Sequence, residues 1–564
     1  MTSKRWIVSP PLTDSARAAL RDYPPIVAQL LFNRGYADRS QAEEFLSGQL
    51  ARSDDPFLIA GLGEAVERLR AAIKAGERIA VYGDYDTDGV TATALLVQVL
   101  TVLGATVQPY IPDREDEGYG LNDNALRKLK DGGAHVVITV DCGIRSLNEA
   151  DTARALGLDL IITDHHHPGP ELPRALAVVN PKQPGDEYPE KNLAGVGLAY
   201  KIAQGLIRPM SDRPSINASD VLDLVALGTV ADLAPLTGEN RKLVRDGLKM
   251  LNRARREGVK SLLMVSRLKP GAADATAIGF ALGPRLNAAG RLESALAAYN
   301  LLTTTDVFTA NQLAIQLEKQ NQERQNLTRL MHLHARQIAL EADPDAPLLF
   351  AAHPDFKEGI VGLAAARLME EFYRPAVVAS QGPERTKGSA RSIREFHITE
   401  ALDECKALLE RHGGHAAAAG FTTPTTNVDA LAGALRRIAA RELQGMELRP
   451  VLQIDVDGVK LSDLTGDLVA YLGQFQPCGY GNPTPLFAAR GLKVVNSRTV
   501  GAEANHLKLT LGDGQRVMDA IAFRMGEQQA KMPARVDAAF HLEINEWNGE
   551  KRLQMNVRDL KESE

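Results

Sequence analysis

From about residue 78, short runs of apolar and β-branched residues alternate with stretches of helical length. The apolar runs and the helical stretches between them occupy residues 78–82, 90–103, 106–111, 122–130, 135–140, 147–156 and 159–163. Such alternation is typical of a parallel sheet that carries helices on its faces. The pattern therefore predicts an α/β domain in this part of the chain.

The regions on either side of this alternation are predicted to be helical. Residues 12–46 have apolar positions at helical spacing, and Pro24 and Pro25 are expected to open a helix, since proline suits the first helical turn. Further helical stretches occupy residues 195–207, 219–230 and 239–252. We therefore expect a helical lead-in over residues 1–50 and the α/β domain over residues 51–305.

A long stretch without glycine or proline, residues 306–342, follows this domain. Its middle, residues 318–326, is polar on all sides, and a helix of that kind usually bridges domains. We therefore place a domain boundary in it. Apolar runs at 348–352 and 376–379, with a helical stretch between them, predict a second α/β domain over residues 343–448.

The last part of the chain has the alternating apolar and polar residues of β-strands. Such runs occur at residues 451–456, 506–511 and 536–545, and the pair Asn548-Gly549 is a strong signal for a hairpin. These features predict a small antiparallel barrel over residues 449–564. The whole chain is thus predicted to be a multidomain α/β protein that ends in a barrel.

Composition adds few restrictions to this picture. The 564 residues exceed what one hydrophobic core organises, and no apolar run is long enough to span a bilayer. The net charge of −6 does not exclude a nucleic-acid partner, because binding depends on local charge. Cys142, Cys405 and Cys478 form no metal-type pair and no disulfide framework, which fits a reducing cytoplasm.

Three aspartates alternate directly after the first predicted strand. Asp84, Asp86 and Asp88 repel one another at this spacing unless a cation or strong hydrogen-bond donors compensate their charges. A solvated turn is the simpler interpretation, because Asp and Gly are favoured turn residues. The loop alone does not decide between a turn and a metal site.

Spacing tests two other interpretations of this loop. An EF-hand calcium loop that starts at Asp84 needs a glutamate at its twelfth position, where this chain has Leu95. Asp86 and Asp88 also resemble the Asp-x-Asp start of haloacid-dehalogenase phosphatases, in which the first aspartate directly follows the strand. Here residues 83–85 intervene. The calcium loop is therefore excluded, and the phosphatase is disfavoured.

Two further predicted strands end in residues that can bind metals. The residues that follow these strands are Asp141, Asp164, His165, His166 and His167. Because open α/β sheets bind ligands at the carboxyl ends of their strands, we expect these side chains to meet the acidic loop. Mixed Asp and His ligands suit Mn²⁺ or Mg²⁺ better than structural zinc. Asp164 is expected to orient one imidazole, and His167, which precedes Pro168, to stand apart.

An apolar stretch with an aspartate at each end adds another candidate. Asp223 suits the N-terminus of the predicted helix, where its charge compensates the helix dipole. Asp232 lies at the opposite end, where the same dipole disfavours a negative charge. A bound metal would account for Asp232.

Four segments resemble the motifs of the DHH phosphoesterase superfamily, namely residues 83–89, 140–143, 164–166 and 228–232. A fifth segment, residues 413–420, resembles the glycine-rich signature of the DHHA1 domain that accompanies it. Within the superfamily the chain is most similar to the exonucleases that degrade single-stranded DNA from the 5′ end. That narrower likeness is carried by residues 117–121, 283–291, 388–392 and 479–487, the last of which resembles the entry into an OB-fold. The resemblance covers about residues 55 to 560.

The resemblance implies phosphodiester hydrolysis with two Mn²⁺ or Mg²⁺ ions. It implies Asp141 as the carboxylate that bridges the ions, and it implies that His166 contacts the scissile phosphate or the leaving oxygen. The other implied ligands are Asp86, Asp88, His165 and Asp232. Among these residues Asp86, Asp141 and His166 are the expected catalytic ones.

One position departs from the superfamily pattern. Many members have a histidine four residues before the first aspartate of the Asp-x-Asp pair, and this chain has Tyr82 there. A tyrosine is a poor ligand for a hard cation, so the division of ligands between the two ions stays open. Asp84 is the candidate that replaces the histidine.

The resemblance also implies residues that hold the substrate. They are Arg114, Arg285, Asn287, Ser389, Arg391 and His415. Guanidinium groups suit phosphate, and Ser389 and His415 are expected to grip the 5′ end together with an arginine. Without the motif context, each arginine would be interpreted as a surface charge. In the barrel, Tyr480 and Trp547 are candidate stacking platforms for bases, against the alternative that they belong to the core.

The function predicted from the sequence is 5′ to 3′ hydrolysis of single-stranded DNA to 5′-mononucleotides in DNA repair and recombination. The expected partners are single-stranded DNA, a helicase and a single-strand-binding protein, and we expect a cytoplasmic monomer without membrane contact. Two alternatives stay open on the sequence. One is a pyrophosphatase or short-oligonucleotide phosphodiesterase of the same superfamily, and the other is a scaffold protein without catalytic activity.

Overall fold

The computed structural model describes residues 4–50, 54–113, 117, 118, 120–207, 216–547 and 550–563. The chain divides into two compact units. Apart from the first two residues, the smaller unit contains Ala288–Ser294 and Gln316–Pro450, and the larger contains Ser3–Asn287, Ala295–Ile315 and Val451–Glu564. Among the described helices, none is both long and apolar enough to cross a membrane.

The larger unit begins with a short strand and three helices. These elements are β1 (Arg5–Val8), α1 (Asp14–Ala19), α2 (Pro25–Asn33) and α3 (Arg39–Ser47). Three helices lie in the region expected to be a helical lead-in, and Pro24 and Pro25 open α2. Apolar residues of these helices, such as Leu30 and Phe45, share one core with the C-terminal barrel of the same unit.

A five-stranded parallel sheet forms the centre of the larger unit. The elements of this region are α4 (Leu62–Ala75), β2 (Arg78–Gly83), α5 (Thr87–Val102), β3 (Thr106–Tyr110), α6 (Asp123–Asp131), β4 (Val136–Val140), α7 (Leu147–Ala155), β5 (Asp159–Thr163) and β6 (Ala177–Val179). The strand order is β3-β2-β4-β5-β6, and all neighbours are parallel. The sheet interior is buried, as expected for runs rich in Val and Ile that have helices on both faces. The predicted α/β domain is confirmed, with β6 as an additional strand.

Helices complete this part of the unit. They are α8 (Gly195–Ile207), α9 (Leu222–Ala231), α10 (Gly238–Arg253), α11 (Glu257–Val265), α12 (Ala275–Ala277), a π-helical turn (Ile278–Leu282), α13 (Gly283–Leu292) and α14 (Leu296–Thr303). Residues 288–292 of α13 belong to the smaller unit. Helices α5, α8 and α9 pack against one another and are buried on nearly all sides. A helix that is apolar all round is expected to lie inside a domain, and these three do.

The predicted long helix is confirmed as α15 (Val307–Ala342). The smaller unit contains a mixed sheet with helices. Its further elements are β7 (Leu349–His353), α16 (Glu358–Phe372), β8 (Ala376–Gln381), β9 (Arg385–Arg391), α17 (Ile398–Glu404), β10 (Arg411–His415), β11 (Ala418–Pro424) and α18 (Val428–Glu442). The order is β10-β11-β9-β8-β7, and only β7 and β8 are parallel.

The chain ends in a closed five-stranded barrel. The elements are β12 (Val451–Ile454), α19 (Gly466–Gln474), β13 (Phe487–Val500), β14 (His506–Gly512), β15 (Val517–Ala522), β16 (Arg535–Trp547) and β17 (Glu550–Glu562), and the barrel order is β13-β14-β15-β17-β16. Strands β16 and β17 pair as a hairpin up to Trp547 and Glu550. The residues of the predicted turn, Asn548 and Gly549, lie outside the described part of the chain.

One strand assignment from the sequence is wrong. The run at residues 451–456 was expected to belong to the barrel, but β12 pairs in parallel with β1 in a separate two-stranded sheet, and Val456, just after β12, bridges Phe487 of the barrel strand β13. The alternating pattern of the run identifies a strand and carries no information about its partner. Trp6 of β1 ties this sheet to the barrel, since its indole Nε1 donates to Asp559 Oδ2 of β17 at 2.7 Å.

Candidate metal centre

The acidic and imidazole side chains predicted at the strand ends do meet at one edge of the parallel sheet. Three groups have ligand atoms that all lie within 4.8 Å of one another. The groups are Asp84 with Asp86 and Asp141, Asp88 with His165 and Asp232, and Asp141 with His165 and His166. Asp141 and His165 each belong to two of these groups, and together they link all three into one cluster.

His165 lies in the middle of this cluster. Its Nε2 atom is 3.1 Å from Asp141 Oδ1, 3.8 Å from Asp232 Oδ2 and 4.0 Å from Asp88 Oδ2. This Nε2 atom is buried and makes no hydrogen bond within the described part of the chain. A buried nitrogen surrounded by carboxylate oxygens is the arrangement expected around a cation.

The acidic loop is built into the start of α5. Asp86 is the N-cap of this helix, and its Oδ1 accepts hydrogen bonds from the backbone N–H groups of Asp88 and Gly89 at 2.9 and 3.0 Å. Residues of this type are favoured N-caps because their oxygen satisfies free N–H groups. The loop is therefore both a helix start and a carboxylate cluster.

A second helix N-terminus holds Asp88. Its Oδ2 accepts from Gly195 N at 2.7 Å and its Oδ1 accepts from Val196 N at 2.8 Å, both in the first turn of α8. Free N–H groups and the helix dipole stabilise a negative charge at this place. Asp88 is completely buried, so this contact fixes the direction of its carboxylate.

Two glycines make this close packing possible. A Cβ atom at Gly195 would lie 2.6 Å from Asp141 Cβ. A Cβ atom at Gly228 would lie 2.4 Å from Thr91 Oγ1 and 2.7 Å from Asp88 Oδ1. Cβ atoms do not approach other heavy atoms so closely, so a larger residue at either position displaces its neighbours. The glycine that opens the predicted segment 228–232 is thereby explained by the close packing of Thr91 and Asp88.

Burial and mutual repulsion control the ionisation of the cluster. Burial raises the pKa of Asp141 well above its ordinary value, and the charge of Asp88 raises it further. Burial, followed by the charge of Asp86, raises the pKa of Asp88 to about 7. Burial, followed by Asp88, raises the pKa of Asp232 to about 9. The carboxylates thus need a positive charge among them in order to be ionised together.

His165 is suited to bind that positive charge as a neutral ligand. Burial, and after it the nearby His166, lowers its pKa to about 3. A neutral imidazole keeps a lone pair for a metal, and oxygen ligands with one or two imidazoles suit Mn²⁺ or Mg²⁺. The residues present therefore fit a divalent cation site.

Asp164 orients His166, as the sequence analysis expected. Asp164 Oδ1 lies 2.7 Å from His166 Nδ1 and accepts from the His166 backbone N–H at 3.0 Å. Burial alone would lower the pKa of His166, but the hydrogen bond to Asp164 and the negative charges of Asp164, Asp88 and Asp86 together outweigh burial and raise the pKa. His166 is half-exposed, whereas Asp164 is buried. His167 lies outside the three ligand groups.

Tyr82 is not part of the metal centre. Its ring is completely buried and stacks on Tyr110 with ring centroids 5.1 Å apart. Its hydroxyl donates to Gly120 O at 2.9 Å and accepts from Asn122 Nδ2 at 3.1 Å. The carboxylate of Asp84 joins Asp86 and Asp141 instead, which is the replacement considered from the sequence.

The predicted residue Asn287 contacts the acidic loop itself. Its Oδ1 accepts from the backbone N–H and the hydroxyl of Thr87 at 2.8 and 2.9 Å. This contact supports the loop between Asp86 and Asp88. The described hydrogen bonds of Asn287 therefore hold the acidic loop in place. Arg285 donates to Ala281 O at 2.8 Å. Arg114 lies outside the described residues.

Ser389, Arg391 and His415 lie together in the sheet of the smaller unit. Ala418 of β11 pairs with Arg391 of β9 on one side and with His415 of β10 on the other. Directly opposed residues point to the same face of a sheet, so the guanidinium and the imidazole share a face. Arg391 Nη1 donates to Ser389 Oγ at 2.9 Å on that face.

Sequence reasoning missed the turn that follows β6. Asn180 donates to His166 O at 2.9 Å and Lys182 donates to His165 O at 2.6 Å. The signal was available, since this turn also follows a strand of the parallel sheet. Residues 177–179 were too short a run to be predicted as a strand. The role of Gly195 was missed because only the fold brings its backbone N–H close to the carboxylate of Asp88.

Comparison with known families agrees with these features. The model described as "DHH family, N-terminal domain" matches residues 78–229, and the DHHA1 domain model matches residues 345–441. The model of the RecJ OB domain matches residues 454–559. The fold and the site therefore define a DHH/DHHA1 phosphoesterase that carries a C-terminal OB barrel.

Relatives narrow this class to one family. A single-stranded-DNA-specific exonuclease RecJ from Bacillus subtilis is 40% identical over 99% of this chain and 71% of its own length. RecJ from Dickeya dadantii is 35% identical over 95% of this chain and 96% of its own length. The crystal structure of Thermus thermophilus RecJ in complex with Mn²⁺ matches with a TM-score of 0.84 and 32% identity, over 99% of this chain and 80% of that one. The chain belongs to the RecJ family.

The close approach at Gly195 generates a prediction. Gly195→Ala is expected to lower kcat about 100-fold, because its methyl group displaces Asp141 by a fraction of an ångström or more. Steady-state kinetics with Mn²⁺ measure the effect. Gly197→Ala in the same helix is the control, since a Cβ atom there meets Leu193 at an ordinary 3.4 Å. Equal activity of the two variants would contradict the role of Gly195.

Proposed function

We propose that this protein hydrolyses single-stranded DNA from the 5′ end and releases 5′-mononucleotides. The observation that carries this proposal is the cluster of Asp84, Asp86, Asp88, Asp141, His165 and Asp232 at the edge of the sheet. It is supported by membership of the RecJ family, whose named members are single-stranded-DNA-specific exonucleases. We also propose the domain limits that were expected from the sequence. They are a helical lead-in over residues 1–50, a first α/β domain over 51–305, a linker helix over 306–342, a second α/β domain over 343–448 and a barrel over 449–564.

In this reaction a water oxygen attacks the phosphorus that follows the first nucleotide. The bond from that phosphorus to the 3′ oxygen of the first nucleotide breaks, and the 3′ oxygen takes up a proton. The first nucleotide leaves as a 5′-mononucleotide, and the shortened strand again carries a 5′ phosphate. The product strand is therefore the next substrate.

Two Mn²⁺ or Mg²⁺ ions, when bound, supply an activated water and stabilise the charge of the attacking and leaving oxygens. Asp84, Asp86 and Asp141 would hold one ion, and Asp88, His165, Asp232 and the shared Asp141 would hold the other. The N-terminus of α8 keeps Asp88 fixed for this task, and the N-cap bonds of Asp86 keep the loop fixed. These bonds preorganise the carboxylates before substrate arrives.

His166 is the residue proposed to act on the substrate. Asp164 Oδ1 lies 2.7 Å from its Nδ1 atom and fixes the direction of the ring, and the ring is proposed to contact the scissile phosphate or the leaving oxygen. Its half-exposed ring contrasts with the buried ring of His165 and fits contact with a strand from outside. In this position a protonated His166 can give a proton to the leaving 3′ oxygen.

The 5′ end is proposed to bind at the face shared by Ser389, Arg391 and His415. The guanidinium of Arg391 and the imidazole of His415 lie on one face with only the small residue Ala418 between them, a spacing that we propose suits a phosphate. Arginine forms strong charge-assisted hydrogen bonds with phosphate oxygens. A grip on the terminal phosphate would give the enzyme its direction, and Arg114 and Arg285 are proposed to hold the strand.

The C-terminal barrel is proposed to bind the rest of the single strand. Tyr480 supports this proposal because its ring is exposed by 67% and its carbonyl accepts from Leu236 N at 2.7 Å, four residues after Asp232. An exposed aromatic ring beside the segment of a metal ligand can stack on a base. Trp547 is a further candidate platform.

We also propose the cellular context that the RecJ family suggests. The protein would act as a cytoplasmic monomer in DNA repair and recombination, together with a helicase and a single-strand-binding protein. The alternatives of a pyrophosphatase or a scaffold are disfavoured by the RecJ relatives that match along nearly the whole chain.

Replacing the shared carboxylate tests the reaction. Asp141→Ala is expected to abolish release of mononucleotides from a 5′-phosphorylated single strand in the presence of Mn²⁺, because both proposed ions lose a ligand. Binding of the same strand, measured by fluorescence anisotropy without added metal, should be retained. Substantial nuclease activity of the folded variant would refute the proposed centre.

A second variant tests the grip on the 5′ end. Arg391→Ala is expected to raise KM for a 5′-phosphorylated strand about 10- to 100-fold, which corresponds to the loss of a charge-assisted hydrogen bond. The KM for a 5′-hydroxyl strand should change little. Arg385→Ala at the other end of β9 is the control, because Arg385 is exposed and pairs with Glu410. An equal effect of Arg391→Ala on both substrates would rule out the proposed phosphate grip.

A further inference from the structure

A fourth strand end contributes to the metal centre. Strand β6 lies beside β5 in the parallel sheet and ends at Val179, directly before Asn180, Pro181 and Lys182. Asn180 is completely buried and Lys182 is half-buried. This turn therefore lies at the same edge of the sheet as the metal-binding residues, although none of the three ligand groups includes it.

Two donors from this turn reach two successive carbonyl groups. Asn180 Nδ2 donates to His166 O at 2.9 Å, and Lys182 Nζ donates to His165 O at 2.6 Å. The turn is closed on itself, because Asn180 Oδ1 accepts from Lys182 N at 2.8 Å. Asn180 and Lys182 thus act together on the backbone that carries both histidines.

This contact matters because the position of an imidazole follows its backbone. His165 Nε2 lies between Asp141, Asp88 and Asp232 at distances of 3.1 to 4.0 Å. A shift of the His165 backbone would move this nitrogen away from the carboxylates. The bond from an ammonium group to the carbonyl is charge-assisted and resists such a shift.

The charge of Lys182 acts in the same direction as its hydrogen bond. Burial lowers the pKa of Lys182, while the carboxylates of Asp232 and then Asp164 interact favourably with its positive charge and oppose that shift. An ammonium group among these acids also reduces their mutual repulsion.

We propose that Asn180 and Lys182 are positioning residues of the metal centre, and that Lys182 fixes His165 for the ion bound by Asp88, His165 and Asp232. The site formed by Asp84, Asp86 and Asp141 contains no residue held by this turn, so its affinity does not depend on Lys182. This inference rests on the proposed two-ion centre. It predicts that replacing the side chain of Lys182 lowers the ion affinity of one site and leaves the affinity of the other unchanged.

Direct binding of Mn²⁺ to the full-length protein tests the proposal without any nuclease assay. Free Mn²⁺ is measured by electron paramagnetic resonance during a titration of wild type and Lys182→Met. One class of site is expected to weaken about 10- to 100-fold in Lys182→Met, the range typical for loss of a residue that supports a ligand, and the other class to stay unchanged.

Three further variants make the result specific. Lys182→Arg keeps a charged donor and is expected to stay within about threefold of wild type, which is small beside the loss expected for Lys182→Met. Lys182→Gln keeps a donor without the charge, and it supplies a second comparison if Lys182→Met folds poorly. Lys130→Met is the matched control, because Lys130 Nζ also donates to a backbone carbonyl of this domain, Gly157 O at 3.0 Å. Lys130→Met is expected to bind Mn²⁺ as wild type does.

The possible failures can be told apart. If wild type binds no Mn²⁺, the proposed function fails and this inference fails with it. If wild type binds two ions and both Lys182→Met and Lys182→Gln bind them equally well, only the inference is overturned. Unchanged Mn²⁺ affinity with a raised KM for DNA would also overturn it, and would place the ammonium group on the substrate.

Discussion

The structure depends on the repulsion among carboxylates that are buried at one edge of the parallel sheet. Asp88 and Asp141 lie in an interior that disfavours their negative charge. Burial raises the pKa of both carboxyl groups; the charge of Asp86 raises the pKa of Asp88 further, and the charge of Asp88 raises that of Asp141. Two helix N-termini compensate part of this charge, through the bonds to Asp86 and Asp88. The remaining negative charge fits a divalent cation, which is why the cluster suits a metal site better than a solvated turn.

The surrounding fold can be understood as the support of this cluster. Parallel strands bring three loops to the same edge, and Gly195 and Gly228 let helices approach the carboxylates more closely than any residue with a side chain would allow. Asn287 supports the acidic loop, and Lys182 supports the backbone of His165. Buried polar residues surround the site because the candidate ligands must keep their positions before a metal binds.

Much of this arrangement could be predicted from the sequence, because it depends on local pattern. Apolar runs identified the strands, and the residues directly after them, such as Asp141 and His165, became candidate ligands. The pairing of β1 with β12 could not be predicted, since it joins residues more than 440 positions apart and no local pattern encodes a partner. The contacts of Asn180 and Asn287 were also hidden, because a polar side chain acquires its role only from the groups that the fold places beside it.

Anomalous diffraction at the manganese absorption edge, from crystals grown with Mn²⁺, tests the central claim most directly. The account predicts two peaks about 3.5–4 Å apart, both in contact with Asp141. One peak should also contact Asp84 and Asp86, and the other should contact His165 and Asp232. The absence of any peak at this edge of the sheet, or a single ion that Asp141 does not touch, would contradict it.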